Sequence, residues 1–448
     1  MGAAATLADP GPSSRAPQAG KSRALRTLVA RSSAAVGAEL RSIEAEELGA
    51  FTTAANAAFF HVPSDDYIER QRAMTELDRT LAYVEDGEII GTAGAMSVRL
   101  SLPGGTSVDA AGVTAVTVRA THRRRGVLRA MMGRQLDDIA DRGEPIAVLK
   151  ASESVIYGRF GYGLAASAWQ WALSTQGTVL GWPPRAGGRL RTLDTKAASG
   201  VVPGIYERAI GRRPGAISRS RAWWSAWAEG NEQPDAWLRG DRGRFHVVHQ
   251  PDAGEPDGFV SWWVQRGSDD SGLPAGELHV GDLYATDDEV EAALWEHLVS
   301  VDLVQRIHAR GRPVEEPLRW RLADPRRLHV RRHADDLWLR VLDPAAALES
   351  RRYGTEGRVV LGLHDALRPR NTGSWVVEGG PDGATCRRTG AEPEVELGAS
   401  ELGAVLLGGV DATTLWRAGR LTERVPGALR RLDALLASEA VPWCGTDF

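Results

Sequence analysis

AVTVRATHRRRGVLRAMM, residues 115–132, is the stretch whose reading decides the fold. It opens on a β-type run, Val116-Thr117-Val118, and breaks into the basic turn His122-Arg123-Arg124-Arg125-Gly126. Val127, Leu128, Met131, Met132, Leu136 and Ile139 then recur mostly three and four apart, which predicts an amphipathic helix over 127–140. A strand that enters a glycine-containing turn and leaves as a helix gathers several backbone N–H groups at the positive end of the helix dipole. That arrangement suits a phosphate. The turn has neither the G-x-x-x-x-G-K-[ST] of a nucleotide loop nor the G-x-G-x-x-G of a dinucleotide turn. Arginines supply the charge instead, and Arg124 and Arg125 are the expected charge-assisted partners of the anion. Gly126 and the first-turn residues Val127, Leu128 and Arg129 complete the expected loop.

Outward from this stretch the pattern stays α+β. Glu39 to Ile43 predicts a strand and Glu46 to Phe60 a helix. Leu81–Val84 and Ile89–Ala93 flank Asp86-Gly87, a hairpin signal. Strands over 113–118 and 145–150 and an aromatic turn over 156–163 follow. Beyond a Pro-, Gly- and Arg-rich linker near 182–190, Leu278–Tyr284 precedes a helical pattern over 287–304 and repeats the strand-then-helix order. Its turn, Ala285-Thr286-Asp287-Asp288, is acidic: good for capping a helix, repulsive to a pyrophosphate. The second unit is therefore expected to keep the scaffold without the cofactor. Short strands (Leu337–Leu342, Val359–Leu361, Trp375–Val377) and helices over 399–407, 411–419 and 427–437 predict a third unit. The expected organisation is a flexible leader over 1–37, an N-terminal unit over 38–182, a degenerate copy over 183–330 and an α+β unit over 331–448.

Bulk properties narrow the function. A chain of 448 residues is too long for one ordinary core. With 43% apolar residues, 25% charged residues and a net charge of −4, nothing points to a nucleic-acid partner. No run of ~18 apolar residues predicts a membrane span, and no secretory signal is evident. Cys386 and Cys444 cannot form a disulfide framework, so a reducing, cytoplasmic setting is expected. The ten histidines show no ligand spacing, so no metal is expected, and no G-x-S-x-G elbow occurs. The fifteen tryptophans are expected chiefly in cores.

Two motifs together, THRRRGVLRAM at 121–131 and ASESVIYGRFGYG at 151–163, resemble the Eis (enhanced intracellular survival) family of N-acetyltransferases in the GNAT superfamily. DLWLRVLDPAAALESRRY at 336–353 and LRRLDALLASEA at 429–440, with Asp447-Phe448 closing the chain, extend the resemblance. Leu128 departs from the Gly or Ala that many GNAT loops carry there. The resemblance implies tandem GNAT-type lobes followed by a sterol carrier protein-like α+β domain, a homohexamer, and acetyl-CoA as co-substrate. It implies that the acyl-CoA lies as a strand-like partner along Val116, Thr117 and Val118, where two strands splay; Ser152 and Glu153 are expected at the end of the next strand, facing the same cleft. The implied acceptors are cationic amines: aminoglycosides, other polyamines or protein lysines.

Tyr157 suits the chemistry of that reaction. When an amine displaces a thioester, the leaving thiolate's conjugate acid has a pKa near that of a phenol, roughly 8.5 to 10, so a tyrosine is a matched proton donor. The resemblance places the general acid at this residue, whereas Tyr162 is expected to pack the turn. An apolar last residue after Val441-Pro442-Trp443 predicts a packed tail, and the resemblance implies that the Phe448 terminal carboxylate is the base. Asp65, Asp66, Glu153 and Asp447 are candidates for the substrate pocket. The competing reading is a non-catalytic acyl-CoA- or lipid-binding protein on the same scaffold; Tyr157 and the basic loop weigh against it.

Overall fold

Two runs, AAGV at 110–113 and IAVL at 146–149, have no polar alternate positions. The computed structural model, which describes residues 37–229 and 243–448, buries both runs on two faces. They pair in parallel, from Ala110↔Ile146 to Val113↔Leu149. Ala110, Ile146 and Val148 face one core; Ala111, Val113, Ala147 and Leu149 face another.

Around this pair, twelve strands among the described residues form one sheet. They are β1 (Ala38–Ser42), β2 (Thr80–Glu85), β3 (Glu88–Leu102), β4 (Thr106–Val118), β5 (Ile146–Leu149) and β6 (Gly163–Ser174), then β7 (Arg189–Leu193), β8 (Phe245–Gln250), β9 (Gly258–Gln265), β10 (Gly276–Ala285), β11 (Val304–Pro313) and β12 (Leu328–Val341). The order β1-β2-β3-β4-β5-β12-β6-β11-β10-β9-β8-β7 is a two-fold repeat about the β12/β6 pair. In each half an antiparallel ladder meets one parallel pair, β4 with β5 and β10 with β11. The strand that closes each half comes from beyond the other half's parallel pair or before it: β12 flanks β5, and β6 flanks β11.

The run at 337–342, expected in the third unit, therefore belongs to the main sheet, and the boundary expected between 330 and 331 falls inside β12. A strand's sheet is set by its partners, here distant in the chain, and local pattern carries no record of them. The leader expected over 1–37 lies outside the described residues apart from Gly37.

Helices occupy corresponding connections. α1 (Leu48–Ala57) and α2 (Asp65–Met74) join β1 to β2, α3 (Val127–Asp141) joins β4 to β5, α4 (Thr195–Ala209) and α5 (Arg221–Glu229) lie between β7 and β8, and α6 (Asp288–Val299) joins β10 to β11. α3 crosses β3 at Gly91, where a Cβ would come within 2.9 Å of both Met131 Sδ and Val127 Cγ1. Tryptophans 171, 227 and 295 are fully buried, while Trp182 and Trp320 are exposed.

The C-terminal unit has its own sheet, ordered β15-β14-β13-β16-β17, from β13 (Gly357–His364), β14 (Gly373–Gly380), β15 (Gly383–Arg388), β16 (Val395–Gly398) and β17 (Thr422–Glu423). Helices Ala399–Val405, Ala412–Arg417 and Ala428–Leu436 accompany it. Val359, Leu361 and Leu432 share one core with Val98, Leu100 and Ile146, so this unit covers one face of the first half. The seam is a glycine pair. A Cβ on Gly163 would stand 1.9 Å from Ser400 O, and one on Gly403 would stand 2.2 Å from Leu339 O. Both obstacles are backbone and cannot rotate away. Gly163→Ala is therefore expected to lower unfolding free energy by about 1–3 kcal/mol, the usual cost of overpacking; a denaturant midpoint equal to wild type would refute the seam.

Candidate active site

The parallel pairing of β4 with β5 stops at Val113↔Leu149, yet β4 continues along β3 as far as Val118↔Gly91. The two strands part at a bulge: the β3–β4 register shifts between Thr92 and Gly94, and Ala115 takes φ 52°. Side chains hold the bulge open. Thr92 Oγ1 donates to Ala115 O at 2.7 Å and lies 2.6 Å from Thr117 Oγ1, and the Gln135 amide donates to Gly94 O at 2.9 Å. Thr117 is thus committed to the sheet by its side chain, and its backbone is what it can offer a ligand. Val116 and Leu128 are half-buried at the meeting point of two apolar clusters.

The basic loop follows at once. Arg119 N–H donates to Ile90 O at 2.8 Å, and its guanidinium bonds Glu88, fixing where the chain leaves β4. Arg124 has φ 64° and Gly126 φ 88°; Gly126 is the N-cap of α3, and no side chain caps that helix. The first-turn N–H groups of Val127, Leu128 and Arg129 therefore have no side-chain acceptor, at the positive end of a 15-residue helix. The two expected arginines part company. Arg125 is ion-paired with Glu85 of β2, one contact at 3.0 Å, and His122 Nε2 is 3.2 Å from the same carboxylate. Among the described residues Arg124 makes no ion pair, and Arg123, Arg124 and Arg129 are all exposed.

Past β5 the chain turns through exposed Ser152 and Glu153, beyond the strand end rather than on it, into the buried Tyr157. The turn is tight: Tyr157 O accepts from the N–H groups of Phe160 and Tyr162, at 2.9 and 3.3 Å. Gly161 has φ 82°, and a Cβ there would meet the Arg340 guanidinium at 2.8 Å. Tyr157 belongs to the cluster of Val113 and Leu149, the last rung before the strands part, and its ring meets that of Tyr162 edge-on at 5.9 Å. Burial, with Glu153 nearby, raises the Tyr157 phenol above its ordinary value, so it holds its proton through neutral pH. Tyr162 is fully buried, consistent with packing.

The chain end approaches from the other face of β4. A Cβ on Gly112 would stand 3.4 Å from the Phe448 ring, so that ring covers Gly112, next to Val113. Residues missed from sequence hold this tail. Lys150 donates to Cys444 O at 2.9 Å, bonds Asp336, and reaches Asp447 at 3.2 Å; Asp336 accepts from Cys444 N–H at 2.8 Å. The only signal was weak: Lys150 is one of three lysines in the chain. Asp65 and Asp66 are exposed in the first turn of α2.

The corresponding place in the second half differs. Asp287 caps α6, accepting at 2.9 Å from both Glu289 N–H and Val290 N–H, so the groups left uncapped in α3 are satisfied here by a carboxylate. Among the described residues no group of three or more His, Cys, Asp or Glu could hold a metal ion, and no helix is long and apolar enough to cross a membrane.

The likeness to known proteins runs over most of the chain. Residues 39–165 and 215–341 each match a family described as an acetyltransferase (GNAT) domain, and residues 344–445 match one described as a sterol carrier protein domain. An uncharacterized N-acetyltransferase of Streptomyces avermitilis is 40% identical over 376 residues, covering 84% of this chain and 90% of that protein. N-acetyltransferase Eis of Mycobacterium tuberculosis is 34% identical over 357 residues, 79% of this chain and 84% of its own length. The crystal structure of Eis1 from Mycobacterium abscessus superimposes with a TM-score of 0.80 at 34% identity, covering 92% of this chain and 100% of that one.

Proposed function

The chain belongs to the Eis family of GNAT N-acetyltransferases, and we propose that it moves the acetyl group of acetyl-CoA directly onto an amine of a cationic small molecule, with Tyr157 as proton donor and the Phe448 α-carboxylate as proton acceptor. The observation that carries this reading is the gathering, along residues 112–118 of β4, of a strand parting, an uncapped helix start, a buried tyrosine and the ring of Phe448. The open side of Val116–Val118 offers backbone groups to the pantetheine arm. The α3 start with Arg124, Gly126 and Arg129 receives the pyrophosphate. Arg125 shapes the loop through Glu85.

In the transfer, the amine nitrogen bonds the thioester carbonyl carbon while its proton passes to the carboxylate, directly or through water. The C–S bond then breaks, and the thiolate takes the Tyr157 proton. Burial raises the phenol, and it acts in the same direction on the thiol, since both are neutral acids that give anions. The pair stays matched as the site dries. The Glu153 carboxylate beside Tyr157 favours a cationic acceptor such as an aminoglycoside, a polyamine or lysine. The resemblance adds a homohexamer working in the cytoplasm to this reading; light scattering tests the assembly.

Five outcomes are expected. Arg124→Ala raises the acetyl-CoA dissociation constant about tenfold or more, since a charge-assisted contact contributes roughly 1.5–3 kcal/mol; calorimetry should also give one acetyl-CoA per chain, and a stoichiometry of two would sink the reading of Asp287 as a substitute anion. Tyr157→Phe leaves that affinity intact and lowers kcat by about 10²–10⁴. In the wild type, the alkaline fall of kcat comes above pH ~10, the ordinary tyrosine value, because the native phenol is raised; a fall centred near neutrality would assign the proton to another group. Extending the chain past Phe448 by a few residues abolishes most turnover at unchanged acetyl-CoA affinity, and a fully active extended chain would remove the carboxylate from the mechanism.

A further inference from the structure

The gap that admits a ligand in the first half has a counterpart in the second. β10 pairs with β11 only as far as Val280↔Ala309, then continues along β9 to Ala285 past a register shift between Val280 and Leu283. This second gap is filled by the chain's own tail. Trp443 stacks on Tyr284 of β10 with ring centroids 5.3 Å apart, and its indole N–H bonds Gly311 O of β11. The Arg312 guanidinium stands 5.1 Å from the same ring. Gly445 is so close to Tyr284 that a Cβ would lie 2.3 Å from the phenol oxygen. Thr446 Oγ1 accepts from Arg219 Nε and lies within hydrogen-bond reach of Tyr206 OH, both at 2.9 Å. Arg219 is itself fixed by the buried Asp282, at 2.9 Å, on β10 inside the register shift. Every one of these groups lies past the last β10–β11 rung or packs on a residue that does.

Between these contacts, at Cys444, and again at Asp447, the tail is held by the first half. Lys150, immediately beyond β5, and Asp336 of β12 take the C=O and the N–H of Cys444, and Lys150 also holds Asp447. Burial alone would depress the lysine, but Asp336, Cys444 and Asp447 outweigh it and keep the ammonium charged. The tail then ends with its ring on Gly112 of β4.

We propose that the second half is the holder of the chain's own C-terminus: the β10–β11 gap seats residues 443–446, and Lys150 with Asp336 is the clamp that sets the chain end against β4. Lys150 is on this account a positioning residue, and the proposal rests on the reading of the Phe448 carboxylate as proton acceptor. It explains what the second half contributes to a reaction carried out in the first.

Amide hydrogen exchange of the C-terminal peptide, read by mass spectrometry on the full chain, tests the clamp without reference to activity. Lys150→Met is expected to strip protection from residues 443–448 and to lower kcat about 10²-fold, the scale of a small misplacement of a reacting group. The acetyl-CoA dissociation constant should stay at the wild-type value, which also certifies that the first half is folded. Lys150→Arg keeps the charge and should recover most of both losses. Trp443→Ala, in the other half's gap, should loosen the same peptide. If the tail stays protected in both Lys150→Met and Trp443→Ala, the holder proposal is overturned. If the tail loosens and kcat does not fall, the clamp stands and the carboxylate is not the proton acceptor. An extended chain that keeps its tail protected but loses turnover separates the two in the opposite sense.

Discussion

The parting of β4 from β5 after Val113 is the constraint on which the rest of this molecule depends. Inside a sheet covered on both faces, an unpaired strand edge leaves backbone donors and acceptors to be satisfied by something else. The protein keeps that edge open deliberately. Ala115 adopts a left-handed conformation uncommon for a residue with a side chain, and Thr92, Thr117 and Gln135 spend their hydrogen bonds on holding the bulge. Around the opening lie the uncapped start of α3, the phenol of Tyr157 and, on Gly112 just before it, the ring of Phe448.

The two halves make the same opening and treat it oppositely. In the first, Gly126 leaves the helix start bare, since a glycine N-cap offers no acceptor. In the second, Asp287 closes the helix start with its own carboxylate. A helix terminus can be satisfied from within or from outside, and that single choice at equivalent positions separates a helix start left open from one already closed. The acidic residues of α6 are in turn tied to arginines: Glu289 to Arg321, and Glu291 to Arg312.

Much of this was legible in the sequence, for a physical reason. Helix periodicity, the Asp86-Gly87 hairpin, the basic turn before α3 and the acidic turn before α6 are local features, set by residues within a few positions of one another. What was not legible is long-range. No pattern around 328–341 says that β12 pairs with β5 rather than with the third unit's strands. Three consecutive arginines look equivalent in a sequence, yet Glu85, on a strand forty residues earlier by hydrogen-bond separation, takes Arg125 and leaves Arg124 free of it. Lys150, Asp336 and Cys444 meet only because two strands and the tail converge. The family resemblance reached the chain end through its last residue, but the grip on that end is visible only in three dimensions.

The exchange of β6 and β12 between the halves bears on how the chain comes into being. Synthesis runs from the N-terminus, and β5 is complete long before β12, its outer neighbour, has been made. Until the ribosome has passed Val341, the first half presents an unpaired, wholly apolar strand edge, the kind of surface on which chains aggregate. The first half therefore cannot complete its sheet before the second half has been made. Its first half is completed only by a strand that follows the second half in the chain.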